Sequence, residues 1–201
     1  MSKLSVAGRC LLLLAMSACW SLPQAEVTAE ALKQQIQERS GKIKEFRAML
    51  NDPDQTVRLA ALDVMLKSDD IAMRELAYGV GFNSADETMR AICLSNKFAD
   101  QKLISVKIAD IPNPSDSQKK ALDEWGGIYT FDVSSYDEKT GQFKTSGSYR
   151  KGTGQINGTR LDVSQSYCNG TFKLGDGAVL EGELGCKGSW AGTFEGQIRL
   201  Q

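Results

Sequence analysis

Cys168 and Cys186 flank a glycine-rich turn, Gly175-Asp176-Gly177, in a chain that holds five cysteines and no histidine. That spacing suits a bridge. If the two stand opposite each other on antiparallel strands, Phe172 faces Gly182 and Leu174 faces Leu180. Directly opposed Cβ atoms on neighbouring strands lie close enough for a disulfide. Closing a loop of this length should stabilise the fold by about 3 kcal/mol. The same register gives Glu181 and Glu183 one shared face. Paired carboxylates about 5–9 Å apart can hydrolyse glycosides. Here Lys173 falls opposite Glu181 and Thr171 opposite Glu183, so a solvated cross-strand ion pair is the reading adopted.

The missing histidine removes the commonest general base and the commonest metal ligand. It excludes a Ser-His-Asp or Cys-His mechanism carried by this chain alone. No catalytic, cofactor-binding or metal-ligating set is expected. Cys93 is read as a buried structural thiol, because it replaces Ala in the repeat frame and Arg90, three residues earlier, is a weak activator. Arg58, Arg74 and Arg90 recur every sixteen residues. They could receive an acidic partner, or pair internally with Asp54, Asp70 and Asp86, and the internal role is favoured. Trp125, Tyr129, Tyr149, Tyr167 and Trp190 could stack on a sugar or an apolar anchor, or fill a sheet core. Trp125 and Trp190 each sit near glycine and are the candidates for partner contact.

The elements that must position these residues divide by glycine. Fifteen of the nineteen glycines lie in residues 126–201, and residues 26–108 hold only Gly41, Gly79 and Gly81. Helices exclude glycine and tight turns use it. In the first half three stretches align at a spacing of sixteen, starting at Asp54, Asp70 and Asp86. Each reads as one helix with Asp at the N-cap and apolar residues at +3, +7, +8 and +12. A period in this range signals stacked units. Residues 28–50 read as one or two amphipathic helices, broken near Ser40-Gly41.

The pattern Asn51-Asp52-Pro53-Asp54-x-x-Val57-Arg58-x-Ala60-Ala61-Leu62 resembles the second helix of a HEAT repeat, over about residues 52–100. The resemblance implies a stacked helical scaffold that binds other proteins, and no catalysis. The chain departs from HEAT units in carrying the Asp-x-x-apolar-Arg signature on every helix.

Residues 109–118 carry Pro112 and Pro114 and read as a linker. Beyond it, Tyr129, Phe131 and Val133 alternate with polar neighbours, Asp137–Gly141 reads as a hairpin turn, and Asn157-Gly158 and Asn169-Gly170 read as turn dipeptides. Six or more short strands suggest a small barrel or sandwich. The segment Trp190-Ala191-Gly192-Thr193-Phe194-Glu195-Gly196 resembles strands of small up-and-down barrels.

At the start, Lys3 and Arg9 precede the apolar run Cys10–Trp20, and Ala25 follows a turn: the order of a secretory signal. The run is too short to span a bilayer, which takes about 20 residues. Met16-Ser17-Ala18-Cys19 resembles a bacterial lipobox, which would make Cys19 a lipidated first residue. Cleavage after Ala25 and cleavage before Cys19 both stand as readings. After removal of residues 1–25 the chain keeps 22 basic and 25 acidic side chains. That balance gives no electrostatic reason to expect nucleic acid.

The sequence thus specifies an α+β fold: a signal peptide over 1–25, stacked helical repeats over 26–108, a linker over 109–118 and an antiparallel β domain over 119–201. The expected function is an exported, non-enzymatic interaction or scaffold protein of the bacterial envelope, periplasmic or outer-membrane-associated. Its partner would be another envelope protein. The alternatives are a small-ligand or glycan module using the β domain and, least favoured, a carboxylate-dependent hydrolase.

Overall fold

The fold is α+β, with a helical N-terminal part followed by a closed antiparallel barrel of eight strands. The structure is a computed structural model that describes residues 28–146 and 151–200. The segment read as a targeting signal, Cys19 and Tyr149 lie outside those residues. The chain divides into two compact units, residues 1–39 and 40–201.

Helix α1 runs over Ala29–Leu50 without interruption. The break read at Ser40-Gly41 is absent, because a single glycine in a helix costs only about 1 kcal/mol and the residues around it favour helix. Within the second unit, Ile43, Phe46 and Leu50 of this helix pack on the core.

The sixteen-residue repeat becomes three helices, α2 (Gln55–Leu66), α3 (Ile71–Phe82) and α4 (Glu87–Ala99). Asp54, Asp70 and Asp86 are their N-caps, each accepting a backbone N–H two residues on. Such a cap satisfies an amide that the helix itself leaves open. Leu62, Ala77 and Cys93 are fully buried, as are Met89, Leu94 and Phe98. One apolar face per helix therefore meets its neighbours.

The barrel is built from β1 (Leu103–Ile108), β2 (Ile128–Asp137), β3 (Gln142–Ser146), β4 (Gly152–Asn157), β5 (Arg160–Gln165), β6 (Cys168–Leu174), β7 (Val179–Cys186) and β8 (Gly192–Arg199). Neighbours in sequence are neighbours in the sheet, and β1 pairs with β8 to close it. Closure removes both sheet edges. Strand β1 lies inside the stretch read as helical repeat. Its alternation, with Ile104, Val106 and Ile108 buried, is that of a half-buried strand. The segment read as linker ends in a further helix, α5 (Asp116–Trp125). Ser115 and Gln118 form a reciprocal capping box at its start, and Gly126 closes it in the left-handed conformation.

Asn169-Gly170 is not a turn. It lies within β6, and the chain turns instead at Ser166-Tyr167. Gly170 points inward, where a Cβ would come within 2.7 Å of Phe172 Cε2 and 2.8 Å of Leu184 Cδ2. The glycine there makes room for neighbouring side chains rather than for a bend.

Inward residues fill the barrel. Phe143, Leu161, Phe172, Leu180, Leu184 and Phe194 are almost entirely buried. Eight strands enclose a space that side chains can fill, and here they do. Large residues alternate with glycines along the rows. Phe143, Gly154, Val163, Gly170 and Leu184 form one row, and Leu161, Phe172, Gly182 and Gly196 lie along another.

Helices close both ends. At one end α4 meets three hairpins. Phe98 lies 5.1 Å from Tyr136 and 4.8 Å from Phe143, ring centre to ring centre. Ser95 Oγ and Tyr136 Oη share a hydrogen bond of 2.8 Å, and Thr159 Oγ1 donates to Glu87 at 3.4 Å. At the other end α5 packs on a single 3-10 turn, Gly188–Trp190, and Gln118 Nε2 donates to Thr193 O at 3.0 Å. The buried side chains of α2–α4 and of the barrel form one continuous cluster.

Candidate functional site

The sixteen-residue arginine ladder is turned toward backbone. Arg58 Nη1 donates to Asp52 O at 2.8 Å and to Pro53 O at 3.0 Å. Arg74 Nη1 donates to Ser68 O at 2.6 Å. In both, the targets lie five or six residues earlier, in the turn that leads into the helix. Arg90 breaks this pattern. Its Nη2 reaches out of the helical part to Leu174 O (2.8 Å) and Gly175 O (2.5 Å) in the β6–β7 turn. Its Nε is buried and has no hydrogen-bond partner.

Arg58 also forms an ion pair, Nη2 to Asp86 Oδ2 at 2.8 Å. The partner lies on the next helix but one, not on its own or an adjacent helix. The guanidinium, together with amides of Thr88 and Met89 and the Gln55 amide, holds the Asp86 carboxyl below the usual carboxylate range. The side chains of the pair are 21% and 9% exposed, so solvent screens it only in part.

Trp125 and Trp190 meet at the α5 end of the barrel. Their rings are 5.4 Å apart and near perpendicular, and Trp125 also packs on Tyr129 and Phe194, each at 4.9 Å. Trp190 Nε1 donates to Glu124 Oε2 at 2.6 Å. Both rings are half-buried. They seal the barrel end, and the outer edge of the cluster is what a partner could touch.

Cys168 and Cys186 form the disulfide, directly opposed in the ladder with Phe172 facing Gly182 and Leu174 facing Leu180. Cys93 is a free thiol at 0% exposure, and burial pushes its pKa up to about 12. A thiol held neutral in this way is a poor nucleophile.

Lys173 does stand opposite Glu181, and Thr171 opposite Glu183. The hydrogen bond to Glu181, however, comes from Gln197 Nε2 on β8 at 3.0 Å. Glu183 faces Glu195 across β7 and β8, a like-charge pair of the destabilising kind. Among the described residues no set of three or more acidic or cysteine side chains is placed to hold a metal ion.

The concave surfaces lie outside the barrel, not in its filled interior. One, of about 840 Å³, runs over β3–β6 and is lined by Gln142, Lys144, Gln155, Asp162 and Asn169 among others. Another, of about 700 Å³, lies over β7, β8 and β1, beside Glu181, Glu183 and Glu195. Both lie over inward-facing glycines, at Gly154 and Gly170 in the first and Gly182 and Gly196 in the second. A Cβ at Gly154 would overlap the Phe143 ring. The strand therefore rests directly on the core, and the outer surface dips. Inward glycines in a sequence pattern are the signal that could have located these grooves.

No family model, curated protein or solved structure matches this chain. Among the described residues no helix is long and apolar enough to cross a membrane.

Proposed function

We infer that this is an exported, non-enzymatic interaction protein of the bacterial cell envelope, with the HEAT-like helical part as its partner surface and the barrel as its stable base. The observation that carries the reading is a set of apolar side chains left outward on the helices. Val57 and Val64, seven apart on α2, and Ile71 at the start of α3 are 39%, 64% and 67% exposed. The arginines that could have formed a charged face are instead used on turn carbonyls and on Asp86. Apolar residues left outward on a helix are the usual anchors for another protein. The positive start and short apolar run before residue 25 support export, with cleavage after Ala25 as the main reading and lipidation at Cys19 as the alternative.

The test is capture of partners from envelope extracts by the full mature chain and by Val64→Asp and Ile71→Asp variants. One protein retained by the wild type and lost with either variant supports the reading. An unchanged capture profile in both variants, with folding intact by circular dichroism, overturns it. The intact mass of the mature chain separates cleavage after Ala25 from acylation at Cys19.

A further inference from the structure

We propose that the groove over β3–β6 is a binding site for a neutral, linear oligosaccharide, laid across the strands. It is separate from the helical surface and rests on different residues.

The ladder places two rows of hydrogen-bonding side chains side by side. One row is Gln142, Gln155, Asp162 and Thr171, each directly opposite the next. The other is Lys144, Thr153, Ser164 and Asn169. Successive members of a row are one strand apart, about 4.8 Å, and the rows are offset by two residues along each strand. A chain of hydroxylated rings crossing the strands would meet a fresh donor or acceptor at every step.

Most of these groups are unspent, the exceptions being Gln155, whose Nε2 donates to Thr140 O at 3.4 Å, and the bonded Asp162 and Thr171. Among the described residues the side chains of Gln142, Lys144, Thr153, Ser164 and Asn169 make no hydrogen bond to the rest of the protein. Asp162 differs, and usefully. Arg160 Nε and Nη2 donate to its Oδ1 at 2.9 and 2.8 Å, and Thr171 Oγ1 donates at 2.8 Å. That network fixes the carboxylate, and the Arg160 bond holds its pKa below the ordinary range. It remains an acceptor and is largely neutralised by its neighbour.

The chemistry selects the ligand class. Arg160 offsets Asp162, and Asp137, which also lines the groove, offsets Lys144, so the groove has no net attraction for an anion or a cation. Its exposed side chains are polar apart from the edge of Tyr136, which gives little hold to a lipid chain. A peptide cannot add as a strand, because the barrel has no free edge. What fits is a molecule whose surface is mostly hydroxyl and whose length exceeds one ring. The half-buried Tyr136 at the end of the groove is its one aromatic edge, so affinity should be modest.

The experiment uses the full mature protein, labelled with nitrogen-15, titrated with cellohexaose and with chitohexaose. Shifts confined to amides of β3–β6, for either sugar, support the proposal. Asn169→Ala and Gln155→Ala should each weaken binding about two- to tenfold, the scale of one net hydrogen bond. Lys107→Ala, on the opposite wall, should leave it unchanged. No shift with either sugar up to about 10 mM overturns the proposal, since a Kd beyond that is too weak to matter. So do shifts centred on another face, equal shifts from a neutral polar peptide, or full binding in both groove variants.

Discussion

Gly81 on α3 lies against Cys93 on α4, so closely that an added Cβ would overlap the sulfur, with Leu62 Cδ1 a further 3.3 Å neighbour. The contact brings three consecutive helices together at one point. Gly79, two residues earlier on the same helix, is exposed, and a Cβ added there would meet nothing within 4 Å. The two glycines should therefore respond to alanine with opposite sign. Gly79→Ala should raise stability by about 0.5–1 kcal/mol, the helix-propensity gain. Gly81→Ala should lower it by about 1–3 kcal/mol through overpacking. Replacing Cys93 by Ala in the Gly81→Ala background should return a good part of that loss, because the sulfur is the obstacle. Urea denaturation of the three variants and the wild type checks this. A neutral Gly81→Ala would mean that the helices can separate without cost.

The repeat was legible because its cues are local. Asp54, Asp70 and Asp86 recur at one spacing, and an N-cap needs only its own helix to act. The Cys168–Cys186 register was legible because one turn and one bridge fix every pair between them. The candidate grooves were not. They depend on which face Gly154 and Gly170 take, and at Asn169-Gly170 a strong turn signal points the wrong way. Nor could the sequence place Arg90, since its acceptors Leu174 and Gly175 lie more than eighty residues away. Strand β1 and the Ser115–Gln118 capping box did carry readable patterns, and these mark where the barrel begins.

Acid should weaken the fold at the Arg58–Asp86 pair. Asp86 titrates lower in the folded chain than in the unfolded one, so the unfolded chain takes up protons first as pH falls. The stabilisation is fully present above the unfolded carboxylate pKa of about 3.9 and is lost as pH falls through the depressed folded value. Asp86→Asn keeps a good N-cap but removes the charge, so its stability should change less across that window than the wild type's. Asp86→Ala should cost about 1 kcal/mol more for the lost cap. Thermal melts between pH 2 and neutrality test this. Parallel pH curves for the wild type and Asp86→Asn would show that the pair contributes nothing.

The three described cysteines should separate cleanly in reactivity. Cys93, fully buried and with its pKa pushed up to about 12, should resist iodoacetamide in the native protein near pH 8 and react on unfolding. Its unfolded counterpart ionises first, so stability should fall as pH rises from the ordinary thiol range toward the folded value. Cys168 and Cys186 should release thiols only after reduction. Replacing both by Ala should lower stability by about 3 kcal/mol. Mass spectrometry of alkylated peptides reads all three positions. Rapid native alkylation at Cys93 would show that α3 and α4 open far more readily than their packing implies.

Arg90 sets how firmly α4 is seated on the barrel. Arg58 and Arg74 brace their own helix entries, whereas Arg90 bridges to the β6–β7 turn through two carbonyls. Hydrogen bonds from a charged donor contribute about 1.5–3 kcal/mol. Arg90→Ala should therefore cost more than Arg74→Ala, and the damage should be local to the junction. Native-state hydrogen exchange distinguishes this from a general loss. Amides of α4 and of the Leu174–Val179 turn should lose protection in Arg90→Ala, while those of β3–β5 keep theirs. Arg90→Lys should recover only part of the effect, because a planar guanidinium holds the N–H bonds of Nη2 in fixed directions whereas an ammonium is a strongly hydrated charge on a flexible stem. Equal protection in α4 for Arg90→Ala and the wild type would assign the junction to Phe98 and its aromatic neighbours instead.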